Sequence, residues 1–354
     1  MRTFSSIQLQ DEAAAKQKHN FAAASLFVNL NRNIVAGLNL GENTMLSYTA
    51  KRLGQTVFVL IGISLITFVL LQVVPGDPVA LMLEKRADPE TIAKIRHELG
   101  LDLPYHIQYF NFLKGAVRLD FGTSYFTKEV VSVALIRSFK VTVKLACMAF
   151  VFAAAIGIPC GIFSAVKRGK RIDSVVMVLS IIGVSAPAFW FAIILQIIFG
   201  LKLDILPISG FDGVSSYILP SVALGARYAG SMARITRTSM LEVMGQDYIR
   251  TAKAKGASRW SVIMKHALKN AMIPIVTLIG TDFGYMLTGS MLIEKVFSIP
   301  GIGKLAVDAM SNRDLPLLEG TVMYIAFVFV IVNLIVDLSY AFLDPRIRYG
   351  KGAA

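Results

Sequence analysis

The sequence predicts an all-α integral membrane protein with six transmembrane helices and both termini in the cytoplasm. Of its 354 residues, 55% are hydrophobic, and the mean hydropathy of +0.61 is too high for a soluble globular protein. Apolar blocks long enough to cross a bilayer recur along the chain. The short loops between these blocks alternate between basic and neutral or acidic, and basic loops lie on the cytoplasmic side of a membrane.

The first predicted span, residues 55–74, contains no charged side chain. Lys51 and Arg52 precede it and place the amino terminus inside. This span belongs to an N-terminal segment, residues 45–74, which follows an extension of unknown role at residues 1–44. The extension lacks the continuous apolar core of a signal peptide.

A long hydrophilic segment, residues 75–140, is predicted to lie outside the cytoplasm, and residues 141–354 form the membrane core. The third span is interrupted at Ala186 and Pro187, where we expect a kink or a re-entrant bend. The five spans of the core are predicted at residues 145–166, 174–200, 217–234, 271–293 and 318–338.

The composition excludes several classes of function. The net charge of +13 is accounted for by basic loops, and no soluble segment alternates basic and aromatic residues, so nucleic acid is not a predicted partner. A phosphate-binding P-loop is absent, since the Gly-Lys pairs at 169–170 and 303–304 are followed by Arg171 and Leu305 instead of Ser or Thr. We therefore expect no catalytic residues, no metal site and no bound cofactor in this chain.

A basic loop, residues 245–274, lies after the fourth span. Seven Lys or Arg residues occur between Thr236 and Asn270, which places the loop on the cytoplasmic side. Its alanines, with Tyr248 and the residues around it, predict a short helix. Gly256 would end that helix in the left-handed conformation that glycine adopts most easily.

This loop resembles the coupling loop of ABC-importer permeases. The family pattern is Glu-Ala-Ala, three residues, Gly, nine residues and then an apolar stretch containing Pro. Gly256 and His266 keep the nine-residue gap, and Ala252 holds the first alanine position. Thr251 and Lys253 replace the family's Glu and second Ala, as they do in the dipeptide, oligopeptide and nickel branch. Residues 288–303 and 344–348 also resemble this branch, so the similarity runs from residue 45 to residue 348.

The resemblance implies a type I ABC-importer permease fold in the bacterial inner membrane. Implied partners are a homologous second permease subunit in a heterodimer, two cytoplasmic ATPases that use ATP and Mg, and an extracytoplasmic substrate-binding protein. The loop helix would dock on an ATPase; the alternative is a basic loop that binds anionic lipid headgroups. The residues assigned to ATPase coupling are Asp247, Tyr248, Arg250, Ala252, Lys253, Lys255, Gly256 and Ala257.

A di- or oligopeptide is the substrate that this branch implies, with nickel or a metal chelate as the alternative. An ion-coupled secondary transporter is the rival from another class. Such a transporter would show an inverted internal repeat, and none is visible in the sequence.

Small residues recur every four positions in the fourth and fifth spans and predict smooth faces for close helix packing. They are Ser221, Gly225, Ala229 and Ala233, and then Gly280, Gly284 and Thr288. Arg227 and Asp282 each lie two residues after a glycine of these faces, about 200° around the helix, and so point away from them. A charge that faces lipid near mid-membrane costs several kcal/mol. We expect both residues to line a translocation path and contact a zwitterionic substrate or each other; the alternative is a structural salt bridge.

Overall fold

The computed structural model describes residues 45–73, 79, 89–98 and 100–343. The extension at 1–44, most of the segment between 74 and 88, and the carboxy-terminal motif at 344–348 lie outside the described residues. The chain divides into two compact units, residues 1–59 with 344–354 and residues 60–343. In the first unit the described part is the beginning of helix α1 (Met45–Val73), which continues into the second unit.

The described part of the second unit is helical, apart from an isolated β-bridge between Thr123 and Val130. Two stretches, Gln196–Lys202 and Val262–Leu268, are π-helical. The α-helices after α1 are α2 (Pro89–Glu98), α3 (Tyr105–Val117), α4 (Val131–Val166), α5 (Arg171–Ser185), α6 (Ala188–Leu195), α7 (Ser215–Met244), α8 (Asp247–Ala254), α9 (Arg259–Ser261), α10 (Lys269–Leu287), α11 (Met291–Val296), α12 (Ile302–Asn312) and α13 (Leu315–Leu343).

Within the described residues, four helices are long and apolar enough to cross a membrane. They are Arg52–Val69, Val131–Val166, Arg259–Leu287 and Leu315–Val336. A fifth candidate is the bent pair of α5 and the helix Ala188–Lys202, whose axes differ by 104°. The predicted interruption of the third span is therefore confirmed: Ala186 has an extended backbone, and Pro187 begins a new helix direction.

The fourth predicted span corresponds to α7, which is absent from those candidates because it is too polar. Half of its 30 residues are buried inside the protein. Around it pack α4, α5, α6 and α10. Because α7 lies against protein on much of its surface, it needs fewer lipid-facing apolar side chains than its neighbours.

The predicted small-residue face of α7 is confirmed as a close contact with α4. A methyl group built at Gly225 would lie 2.7 Å from the carbonyl oxygen of Ala149. In the opposite direction, a methyl group at Gly157 would lie 2.6 Å from the carbonyl oxygen of Ala229. Gly161 faces Ala233 at the same distance. The two backbones approach so closely only because glycines of each helix face the other.

The small face of α10 packs in the same way on α13. A methyl group at Gly280 would lie 2.7 Å from Val336, and one at Gly284 would lie 3.1 Å from Val332. The side chains of α10 that point away from these glycines, including Asp282, are therefore directed away from α13. Helix α7 also contacts α10.

The loop pattern at residues 288–303 is organised around Glu294, which is completely buried. The Thr142 hydroxyl on α4 donates a 2.9 Å hydrogen bond to this carboxylate, and the Lys304 N–H donates another of 2.9 Å. The Ile302 N–H in turn donates to the Thr142 oxygen at 2.8 Å. Burial raises the pKa of Glu294, whereas these hydrogen bonds oppose the rise. Gly301 is required here because any side chain would collide with the carboxylate.

Replacing Gly161 with Ala is expected to lower the melting temperature, because the added methyl group would lie 2.6 Å from both the Ala233 carbonyl oxygen and the Thr236 Cβ. Overpacking of this kind costs about 1–3 kcal/mol. Thermal unfolding of the purified protein in detergent measures the effect. Gly54→Ala is the matched control, since no atom of the part of the chain that the structure describes lies within 4 Å of its Cβ position and Ala favours helix. Equal melting temperatures for the two variants would contradict the close contact.

Candidate functional site

The predicted short helix of the basic loop is observed as α8. Asp247 lies in its first turn, where a carboxylate interacts favourably with the helix dipole. The side chains of Asp247 and Arg250 are 95% and 78% exposed and lie 3.4 Å apart. An ion pair this exposed contributes little to stability. Both side chains are therefore available to another molecule.

One side of α8 is fixed to the membrane helices through Ile249, which is completely buried. Its cluster draws on the carboxy-terminal ends of α4 and α7, on the π-helical stretch Val262–Leu268 and on α10. The buried members besides Ile249 are Ala165, Met240, Val262, Ile263, Ala267, Ala271 and Ile275. Full burial of an isoleucine side chain is worth about 1.5–3 kcal/mol, so this contact holds α8 to the bundle. We call these eight residues the inner cluster.

The predicted end of the helix at Gly256 is confirmed. Its φ is +79°, and its N–H donates a 3.0 Å hydrogen bond to the Lys253 carbonyl. The Ala257 N–H donates to the Ala252 carbonyl at 3.2 Å. This pair of hydrogen bonds is a Schellman motif, which a left-handed residue after the helix makes possible. Ala252 and Ala257 are half-buried, and Lys253, Lys255 and Gly256 are exposed.

The outer surface of this region combines basic and aromatic side chains. Tyr248 is 43% exposed, and Trp260 on α9 is 67% exposed. The Ser258 hydroxyl accepts a 3.2 Å hydrogen bond from the Ser261 N–H and so caps α9. Trp260 was not among the predicted coupling residues. The sequence could have indicated that Trp260 is exposed, because a large aromatic side chain beside Arg259 in a polar loop has no core position to fill.

Sequence reasoning missed an ion pair that lies beside the inner cluster. Arg237 on α7 contacts Asp173 on α5 through its Nε at 2.6 Å and its Nη2 at 2.9 Å. The same carboxylate accepts hydrogen bonds from the Ser164 hydroxyl at 2.5 Å and the Gly169 N–H at 2.9 Å. Asp173 is 5% exposed, so its charge depends on these partners. The pair fixes the loop between α4 and α5 to α7.

Arg227 and Asp282 are neighbours without a direct ion pair. Arg227 is exposed, whereas Asp282 is 8% exposed. They interact electrostatically, yet no pair of their atoms lies within 4.0 Å among the contacts of the described residues. The Oδ2 atom of Asp282 has no hydrogen-bond partner. The predicted alternative of a structural salt bridge is therefore not formed in this structure.

Two family models match the chain. Residues 45–146 match the N-terminal model of the binding-protein-dependent transport system membrane component. Residues 157–349 match the binding-protein-dependent transport system inner membrane component.

Curated relatives cover the same region. A glutathione transport system permease protein of Salmonella choleraesuis (strain SC-B67) is 41% identical over 305 residues, which are 86% of this chain and all of the relative. A putative peptide transport system permease protein of Brucella abortus (strain 2308) is 40% identical over 313 residues, again 86% of this chain and all of the relative.

The fold is also found in a solved structure. An inward-facing form of the MetNI methionine ABC transporter superposes with a TM-score of 0.50 at 17% sequence identity. The match covers 59% of this chain and 96% of that one. Relatives and family models together extend over almost all described residues, including α8 and the Glu294 loop. The chain therefore belongs to the binding-protein-dependent transport system inner membrane components, and it is the permease subunit of an ABC importer.

Proposed function

We propose that this permease subunit forms half of the translocation pore of an ATP-driven importer of di- or oligopeptides in the bacterial inner membrane. The observation that carries the proposal is the anchored and exposed helix α8. Its partners would be a homologous second permease subunit, two cytoplasmic ATPases and an extracytoplasmic substrate-binding protein. The ATPases would bind ATP and Mg, and this chain would bind no cofactor.

The geometry of α8 suits the transmission of force. Ile249 joins it to the inner cluster, the Schellman motif at Gly256 fixes its end, and Tyr248, Arg250 and Lys253 are exposed to solvent. A helix held on one side and free on the other can be displaced as a unit when a partner moves. Docking on an ATPase groove would convert closure of the ATPases into motion of α4, α7 and α10.

The peptide substrate is supported by the names of the relatives. One is a glutathione permease and another is a putative peptide permease, and glutathione is itself a tripeptide. The described residues contain no group of His, Cys, Asp or Glu side chains suited to a metal ion, so nothing in them favours nickel as the transported species.

We extend the proposal to six spans with both termini inside. Helix α7, the fourth span in chain order, would be added to the five candidates α1, α4, the bent pair, α10 and α13. Thirty helical residues extend about 45 Å, which exceeds the hydrocarbon thickness. Arg227 and Arg234 would then face a water-filled path beside the second permease subunit, where charges are tolerated.

Reconstitution tests the proposed function directly. Proteoliposomes that contain the complete importer and its binding protein are expected to accumulate trialanine only when ATP is present on the face of the membrane that carries the ATPases. Vanadate should stop this uptake. Liposomes with the permease alone should accumulate none, because the chain has no P-loop. Nucleotide-independent uptake by this chain alone would support the secondary transporter instead.

Gly256 provides a test of coupling with a matched control. Gly256→Val forces a β-branched residue to φ +79° and is expected to lower ATP-dependent uptake at least tenfold while binding-protein affinity stays unchanged. Gly256→Asn tolerates this conformation and should retain most uptake. No atom of the described residues lies within 4 Å of the Cβ position, so a difference between the variants reports backbone conformation. Normal uptake by the valine variant would contradict the coupling role.

Arg227 and Asp282 are proposed to line the path, as expected from their place opposite the packed glycine faces. Arg227→Gln is expected to reduce uptake of trialanine about tenfold or more and Asp282→Asn several-fold, since each variant removes an ionisable group near the polar side of the bundle. Initial rates of ATP-dependent uptake in proteoliposomes measure this. Wild-type rates and unchanged substrate preference in both single variants would exclude the two residues from the path.

A further inference from the structure

A stripe of polar side chains runs along the most exposed side of α7, between α5 and α10. Arg227 and Arg234 are seven residues apart, which places them within about 20° of the same helix face and about 10 Å apart along the axis. Ser231 lies between them, and Thr238 continues the stripe towards the cytoplasm. Arg227, Arg234 and Thr238 are exposed, and Ser231 is half-buried.

The two exposed arginines differ from the third arginine of α7. Arg237 is held by Asp173, whereas Arg227 and Arg234 have no ion pair within 4.0 Å in the described structure. An arginine keeps its charge at any physiological pH, so burial against lipid would cost several kcal/mol. Each of these two guanidinium groups therefore requires an aqueous path or an anionic partner.

Acidic groups near the stripe are few. Helix α7 carries one, Glu242, which is exposed beyond the cytoplasmic end of the stripe. Asp282 on α10 interacts with Arg227 but is almost completely buried, so Arg227 is the more accessible of the two. On α5 the carboxylate of Asp173 is already engaged by Arg237. The accessible charge along the stripe is therefore positive.

A cavity of about 440 Å³ opens beside Arg234. This volume falls within the range of roughly 300–1,000 Å³ that small-molecule sites occupy. Side chains of α5, α7 and α10 form its walls: Met177, Ser231, Arg234, Ile235, Thr238 and Leu278. The hydroxyl of Thr238 donates a 3.0 Å hydrogen bond to the Arg234 carbonyl within α7. Among the described residues that line the cavity, Arg234 is the only charged one.

We infer that this stripe carries the carboxylate of the transported solute, which passes from Arg227 to Arg234 on its way to the cytoplasm. The inference rests on the proposed function and adds a substrate class, peptides with a free carboxylate. A guanidinium binds a carboxylate through two parallel hydrogen bonds, and two such groups about 10 Å apart supply successive stations. Because Asp282 is buried, it is less accessible to the amino group of a zwitterionic peptide than the two arginines are to its carboxylate.

Charge-removing variants of the complete importer test this inference. Arg227→Gln and Arg234→Gln are each expected to slow ATP-dependent uptake of trialanine about tenfold or more, the effect of losing a charge-assisted hydrogen bond. Uptake of trialanine amide should change much less. Arg234→Lys keeps the charge and should retain more uptake than Arg234→Gln. Arg118→Gln, at an exposed arginine after α3, is the control and should behave as wild type.

A second measurement does not depend on those variants folding. In a background with Cys147 and Cys160 replaced by Ser, Ser231→Cys places a thiol between the two arginines. We compare the rates at which this thiol reacts with an anionic and with a cationic methanethiosulfonate. The ratio of the anionic to the cationic rate should be several-fold higher than for free cysteine, because the neighbouring guanidinium groups attract the anion.

The outcomes separate the two proposals. If the wild-type importer takes up no peptide in the presence of ATP, the proposed function fails. If wild-type uptake is normal and both Gln variants transport free trialanine at the wild-type rate, the importer function stands, whereas the carboxylate inference and the place of Arg227 in the path fail. A thiol at position 231 that shows no preference for the anionic reagent also overturns it.

Discussion

The close approach of α4 and α7 is the contact on which the rest of the structure depends. Glycines on both helices let the backbones meet, and the contact directs the opposite side of α7, with Arg227, outward. Inside a bilayer, helices associate through tight packing because apolar surface gains little by leaving lipid. The glycine face thus determines where the charged face lies, and one packing contact positions the polar side of the subunit.

Local chemistry made much of the fold and the candidate site predictable. Gly256 ends α8 because a left-handed residue must follow this helix, and the bend at Pro187 follows from the missing backbone donor. Apolar length identified most of the spans. It was less informative for α7, whose polarity reflects burial in protein and a polar outer face.

Contacts between distant residues were not predictable from one sequence. Arg237 and Asp173 are 64 positions apart, and Glu294 and Thr142 are 152 positions apart. Each of these side chains could have been satisfied by water or by a nearer partner, so nothing in the local pattern selected the observed one. The Glu294 pattern was visible as a family signature, and the structure supplies its cause: a buried carboxylate that closes a loop and leaves no room for a side chain at Gly301.

Helix α4 takes part in two of the contacts described above. Its 36 residues extend about 54 Å, with Pro159 as the single proline within it. Ala165, near its carboxy terminus, belongs to the inner cluster around Ile249, and Thr142, in its amino-terminal half, bonds Glu294. This one helix therefore connects the cluster around Ile249 with the Glu294 loop. A displacement of α8 would reach that loop within a single element, with Pro159 as the position between the two contacts where the helix can bend.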